Sequence, residues 1–335
     1  MNRKNMVSIK DIAKYCGVSA MTVSRALNNR SNIADDTKNK ILRACKELNY
    51  KPNYAAKSLI TKKTMMIGLV IPDIANQYYA NISKGVSSYI EDRGYGLILC
   101  SSDRKKINEI KYLDFLVGGR VDGIIILPVK PQKEDYKDIM EQVPIVMADN
   151  FVKGLRVNFV GSDNYIGGYK IALHMLKQGY RKIGMILGDK KSTASNERLK
   201  GYKNALSKYD IKYDGSIVIH SDSMFEDGFK IAGKLIKKGV DSIFCINDTV
   251  AMGVMKYCYE NNIELPKKLG IAGYDNIEQS SMLTIPLTTV DQKHKKIGTI
   301  AAKMLINCIK EKSNKIEKVV LEPTLVVRKS CGEGR

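Results

Sequence analysis

From residue 65 onward, the chain alternates between two apolar patterns. Short, nearly unbroken apolar runs recur: MMIGLVIP (65–72), GYGLILCSS (94–102), VDGIIILP (121–128), PIVMADN (144–150), RKIGMILG (181–188), SIVIH (216–220), DSIFCIN (241–247) and LGIAGYDN (269–276). Amphipathic stretches between them predict helices at about 78–93, 107–118, 164–178, 195–208 and 225–237, with another after DSIFCIN. Apolar strands interleaved with helices imply parallel sheets covered on both faces. There are too many units for one compact doubly wound sheet, so two lobes are expected.

The first sixty residues carry only the helical period. Ser8 precedes Ile9, Ile12, Ala13 and Cys16, and Gly17 follows them, which predicts a capped helix ending in a left-handed turn. Ser19 then caps a second helix with Val23, Ala26 and Leu27 on its apolar face. A third helix is expected from about Asp35 to Leu48, with Ile41, Leu42, Cys45 and Leu48 as its stripe and Asp35 and Asp36 at its positive end. Helix, glycine turn and helix is a helix-turn-helix arrangement. The second helix opens with small or polar groups over Ser19–Thr22, then Ser24 and Arg25, residue types that contact phosphates and base edges.

Charge strengthens this reading. The net charge is +20, and residues 1–64 contribute half of it (14 Lys and Arg against 4 Asp and Glu). Basic groups this dense point to nucleic acid, although charge alone would also suit a solvated arm. The 335 residues suggest two or three domains at roughly 100–200 residues each. No apolar run approaches the ~18 residues of a membrane span, and the N-terminus does not read as a secretory signal. Seven scattered cysteines without a CxxC pair, and three distant histidines, suggest no metal site and free thiols in a reducing cytoplasm. No cofactor is called for.

VSIKDIAKYCGVSAMTVSRALNN, followed by LNYKPNYAAKSL, resembles the headpiece of the lactose-repressor (LacI/GalR) family. IPDIANQYY, GRVDGIIILP, GSDNYIGG, SNERLKGY, CINDTVAMG and IAGYDN…TIPLTTVDQ resemble its regulatory domain and the periplasmic sugar-binding proteins of the same fold. The resemblance covers nearly the whole chain. It implies an all-α helix-turn-helix headpiece at 1–52, a hinge helix and linker at 53–64, and an α/β bilobed periplasmic-binding-protein-like domain at 65–335 with two doubly wound parallel sheets. Lobe 1 would hold about 65–160 and 291–322, and lobe 2 about 161–290 and 323–335, including a strand near 323–330.

The resemblance also implies site residues. Helix Ala20–Asn29 would lie in the major groove, with Ala20, Met21 and Arg25 as base readers and Arg25 suited to guanine. Ser19, Thr22, Ser24, Asn28, Asn32 and Thr37 would hold phosphates, while Val23 and Ala26 are core. Asn53 would cap a short hinge helix that sets Ala56 and Lys57 against the minor groove and wedges Leu59 between base pairs; the plain alternative is a linker helix with Leu59 docked on the core.

In the larger domain, a sugar offers many hydroxyls and one apolar face, so its site needs Asp, Asn and Arg groups and an aromatic platform. The candidates are Asp73, Tyr78, Tyr79, Asp149, Phe159, Arg198, Asn247, Asp275 and Gln292. Asp149, Arg198, Asn247, Asp275 and Gln292 match pocket positions of sugar-binding relatives. Asp73 is balanced between pocket and loop. One of Tyr78 and Tyr79 should face the cleft and the other the core. Asp248 is expected to cap a helix beginning at Thr249, and Asp163 and Asn164 read first as helix caps. Tyr78-Tyr79 stands where the family often has Phe-Phe, which keeps a polar ligand plausible and leaves its identity open.

The expectation is a cytoplasmic homodimeric repressor, not an enzyme. It binds double-stranded operator DNA and is controlled by a small-molecule effector, with sugar favoured and a purine, another metabolite or a protein co-regulator as alternatives. No heptad tail follows the last expected strand, which favours a dimer. A transport solute-binding protein would not carry residues 1–64. A nucleotide-binding enzyme would show GxGxxG or GxxxxGK[ST], and neither is present.

Overall fold

A computed structural model describes residues 7–27, 33–50, 63–129, 131–152, 154–311 and 316–332. They separate into two units, before and from Met65.

The first unit has three helices: α1 (Ile9–Cys16), α2 (Ala20–Leu27) and α3 (Asp35–Glu47). Ser8 starts α1 through a reciprocal capping box with Asp11, and Gly17 ends it at φ 66°. The Ser19 hydroxyl accepts from the Thr22 N–H at 3.1 Å and opens α2. Ile12, Ala13, Cys16, Val23, Ala26, Ile41 and Ala44 form the core. The α3 stripe differs from expectation at one position. Ala44 is buried, whereas Leu42 is 40% exposed, because residue 44 lies one helical turn from Ile41 and residue 42 does not.

In the second unit, β1 (Met66–Ile71), β2 (Gly96–Ser101), β3 (Gly123–Ile126), β4 (Ile145–Ala148), β5 (Asn158–Ser162) and β11 (Lys318–Leu321) form a wholly parallel sheet in the order β11-β5-β4-β3-β1-β2. Its helices include α4 (Gln77–Glu91), α5 (Lys106–Val117), α6 (Lys137–Gln142) and α12 (His294–Glu311). A second parallel sheet holds β6 (Ile183–Leu187), β7 (Val218–His220), β8 (Ser242–Cys245) and β9 (Gly270–Ala272) in the order β7-β6-β8-β9. Its helices are α7 (Asn164–Lys177), α8 (Thr193–Ser207), α9 (Phe225–Lys237), α10 (Asp248–Glu260) and the short α11 (Gln279–Met282). The sequence pattern above did not single out β5, α6, α12 or β11.

The chain passes between the lobes near 162–164, 291–293 and 321–324. At these crossings β10 (Thr289–Asp291) pairs antiparallel with β12 (Thr324–Val326), and Asp163 N–H donates to the Leu321 carbonyl at 2.9 Å. Three helix pairs approach too closely for a Cβ at either crossing glycine: Gly85 and Gly298 between α4 and α12, Gly168 and Gly201 between α7 and α8, and Gly228 and Gly253 between α9 and α10. Each partner wall is backbone, which cannot swing aside, so these contacts fix the helix spacing under both sheets.

Candidate functional site

In the headpiece, α2 sorts its residues by face. Val23 and Ala26 turn into the core, while Ser19, Ala20, Met21 and Arg25 are exposed and Thr22 and Ser24 are half-buried. Met21 is 64% exposed, an apolar side chain standing in solvent. Thr37 is half-buried in the first turn of α3. Asn28, Asn32, Asn53, Ala56, Lys57 and Leu59 lie outside the described residues.

Between the two lobes is a cavity of about 470 Å³. Its walls come from residues just past the strands' C-terminal ends, where an open α/β sheet binds ligands. Seven of the nine expected residues line it: Tyr78, Tyr79, Asp149, Arg198, Asn247, Asp275 and Gln292. Two do not. Phe159 lies inside β5, buried in the lobe core with its ring 5.8 Å from Phe151, because it precedes the strand's end. Asp73 stays a loop residue, its Oδ1 accepting from Ala75 N–H at 2.9 Å and its Oδ2 3.6 Å from Arg104 Nε. Both tyrosines line the cavity, and Tyr78 also belongs to the lobe core: it is 3% exposed, and its hydroxyl donates to Asp149 Oδ1 at 2.6 Å.

Arg198 is 5% exposed and fixed on several sides. Its Nε donates to Asn164 Oδ1 at 2.8 Å, its Nη1 to the Ile246 carbonyl at 2.5 Å, and its plane lies 3.6 Å from the Tyr274 ring centroid. Asp163 caps α7, accepting from Ile166 N–H, so Asn164 is free to position Arg198 rather than cap. The opposite carboxylates, Asp149 and Asp275, are also buried, and both adopt left-handed φ angles, 68° and 111°. Such angles cost a non-glycine residue conformational energy, so the surroundings must enforce them. Burial pushes both carboxyls upward. Arg198 pulls both back, as does the Tyr78 hydroxyl for Asp149 and the Gln292 amide for Asp275. Gln292 Nε2 donates to Asp275 Oδ1 at 2.6 Å, while its Oε1 is buried without a partner.

Asn247 corrects a capping assignment. The helix begins at Asp248, not Thr249, and Asn247 is the cap: its Oδ1 accepts from Val250 N–H at 2.8 Å and its Nδ2 donates to the Ser223 carbonyl at 3.2 Å. Asp248 is fully buried, accepting from the Thr289 hydroxyl at 2.6 Å and Ile277 N–H at 2.9 Å. Burial pushes its carboxyl up to about 7 despite those bonds.

Sequence reasoning missed cavity-wall residues that touch the opposite lobe, Arg104 and Asn150 among them. Arg104 follows β2 in a tight turn where Asp103 and Arg104 both have positive φ, and its Nη1 reaches the Asp222 carbonyl at 3.5 Å. Asn150 Oδ1 accepts from the Ser192 hydroxyl at 3.1 Å and Ala194 N–H at 3.3 Å, at the start of α8. Reading the first polar residues past every strand would have found both.

Residues 8–53 match the bacterial regulatory proteins of the lacI family, and residues 172–331 match the periplasmic binding protein-like domain. The HTH-type transcriptional regulator DegA of Bacillus subtilis is 34% identical over 328 residues, covering 96% of this chain and 97% of DegA. The chain belongs to the LacI family. The HTH-type transcriptional repressor PurR of Photobacterium profundum and the ribose operon repressor of Haemophilus influenzae are each 31% identical, over 97% of this chain and 98% of theirs. Among solved structures, the lac repressor dimer bound to operator and the anti-inducer ONPF superposes with a TM-score of 0.87 at 25% identity, over 97% of this chain and 99% of that one. This LacI-family protein is a DNA-binding transcription regulator under small-molecule control. Among the described residues, no cluster could hold a metal ion, every cysteine is free, and no helix is long and apolar enough to cross a membrane.

Proposed function

We propose that this chain is a homodimeric repressor whose operator affinity is switched by a sugar held between the two lobes. The observation that carries the sugar reading is the cavity floor: Arg198 stacked on Tyr274, two buried carboxylates, and an unpartnered amide oxygen on Gln292. A hydroxyl both donates and accepts, so a polyol satisfies the carboxylates, the amide oxygen and the guanidinium together. Tyr78 and Tyr79 add aromatic surface for a sugar's apolar face.

Two headpieces would read two half-sites about one helical turn apart, with Ala20, Met21 and Arg25 toward base edges and Ser19, Thr22, Ser24, Asn28, Asn32 and Thr37 toward phosphates. Asn53, Ala56, Lys57 and Leu59 would form the minor-groove hinge. The effector can change operator affinity only through its different affinity for the two lobe arrangements. A purine is the second reading, favoured by the PurR relative and by the flat tyrosine faces.

The test is operator binding by the full chain during titration with sugars and with purines. One sugar should shift operator affinity severalfold or more, and Arg198→Ala should abolish that shift while leaving operator binding intact. A purine that shifts affinity where no sugar does would replace the sugar reading. Leu59→Ala should reduce DNA bending, and an unchanged bend angle would remove the wedge.

A further inference from the structure

We infer that the cleft selects an uncharged, hydroxyl-rich ligand and rejects the same ligand carrying a phosphate or carboxylate. This rests on the cleft being the effector site, as proposed above. It concerns only the charge of what enters.

The arginine is already partly engaged. An arginine recognises a carboxylate or phosphate best through two parallel N–H groups of its planar fork. Arg198 cannot present such a pair through its Nε edge. Nε is committed to Asn164 and Nη1 to the Ile246 carbonyl, and Tyr274 covers one face. The edge that contains Nε therefore already has one member in use. Nη1 and Nη2 keep three N–H groups between them, so an anion could meet the guanidinium only away from its Nε edge.

Acceptors crowd the rest of the guanidinium's surroundings. Asp149 and Asp275 are each more than nine-tenths buried, and Arg198 acts electrostatically on both. One guanidinium already faces two carboxyls. Gln292 adds a third acceptor, an oxygen that is fully buried and lacks a partner. The floor thus has a surplus of acceptors. It calls for ligand donors, which hydroxyls supply and a fully ionised phosphate does not.

The rim does not reverse this. Among the described residues, Asp103, Asp189 and Asp222 line it with a single arginine, Arg104, whose guanidinium lies against Asp73 and the Asp222 carbonyl. Lys190 and Lys191 are nearby but exposed, where water and salt screen them more than the buried pair below.

The experiment is calorimetric titration of the full chain with matched pairs: D-ribose and ribose 5-phosphate, D-glucose and glucose 6-phosphate, D-galactose and galacturonate. Whichever neutral sugar binds, its anionic partner should bind at least 100-fold more weakly, about 2.8 kcal/mol. Asp275→Asn, which can keep the Gln292 contact, should narrow that gap to about tenfold or less. An anionic member that binds within tenfold of its parent, or more tightly, overturns the inference. If only purines bind, the sugar reading falls separately. The charge rule then stands or falls on hypoxanthine against inosine 5′-monophosphate, with the same ordering expected.

Discussion

On the headpiece, Ala20, Met21 and Arg25 stand in solvent on one face of an eight-residue helix, and Val23 and Ala26 on the other face hold that helix to its neighbours. In the cleft, Arg198, Asp149 and Asp275 are 5%, 8% and 6% exposed and are held by side chains from several separate segments. The difference follows from the partner. DNA comes to the protein with its own charge and water, so the groups that would read it can wait exposed, each independent of the others. A small ligand must be enclosed, so the groups around it are desolvated and must satisfy one another first. Change at the headpiece surface should therefore act locally. Change in the cleft should spread through burial and charge.

The sharpest way to break that contrast is to attack the two cores. Ile12→Ala and Ile243→Ala each empty a fully buried site, and each should cost about 2–5 kcal/mol. Among the described residues the headpiece core has seven buried side chains, so Ile12→Ala should remove its hydrogen-exchange protection and abolish operator binding. Ile243→Ala should only lower the unfolding midpoint of the larger unit. Normal operator binding by Ile12→Ala would show that the small core is not what holds the headpiece together.

Asp248 tests the buried side. Its folded pKa of about 7 lies above the ordinary value of 3.8, so the stability it contributes is full below about pH 4 and is lost as pH rises through 7. Urea unfolding of the wild type and Asp248→Asn between pH 5 and 8 should show the wild type's relative stability falling as pH rises, by about 3 kcal/mol. A difference that does not change with pH would mean that Asp248 is no more costly to ionise than an ordinary carboxylate.

Arg25→Ala should act on the surface alone. It should weaken specific operator binding by about 1–3 kcal/mol and relax the base preference at one position, with thermal stability unchanged. A uniform loss across all DNA sequences would make Arg25 a phosphate contact. The smallest expected effect is at the start of α1: Ser8→Ala removes the capping box and should cost about 1 kcal/mol of headpiece stability. No measurable change would mean that Asp11 alone serves that helix end.

The two sites also differed in how far they could be read beforehand. Ser8, Gly17 and Ser19 mark helix ends through local hydrogen bonds and one left-handed turn, so they act at the same place in sequence and in space. The 3.6-residue period separates Val23 and Ala26 from Arg25 without knowledge of any neighbour. Strand ends are nearly as legible, since a polar residue after an apolar run marks the mouth of a parallel sheet. Asp149 and Asp275 stand at such ends, whereas Gln292 is implied by the family resemblance. The helix α12 was equally open to such a reading: Ile297, Ile300, Ala301, Met304 and Leu305 repeat with helical spacing.

Other features depended on segments far apart in sequence. Phe159 and Asp149 both sit in or near strands of one sheet, yet one is inside its strand and the other just past it, and only the pairing fixes where each strand stops. Asn164 looked like a cap until Arg198, 34 residues away, took its oxygen. Asp248 looked like a cap until Thr289 and the Ile277 N–H enclosed it. The sequence by itself determined the helices, the strands, their caps and the residue types at their ends, because those follow from interactions within a few residues. The tertiary structure alone decided which of those polar groups would share a desolvated space, because burial and charge pairing depend on what the rest of the chain brings alongside.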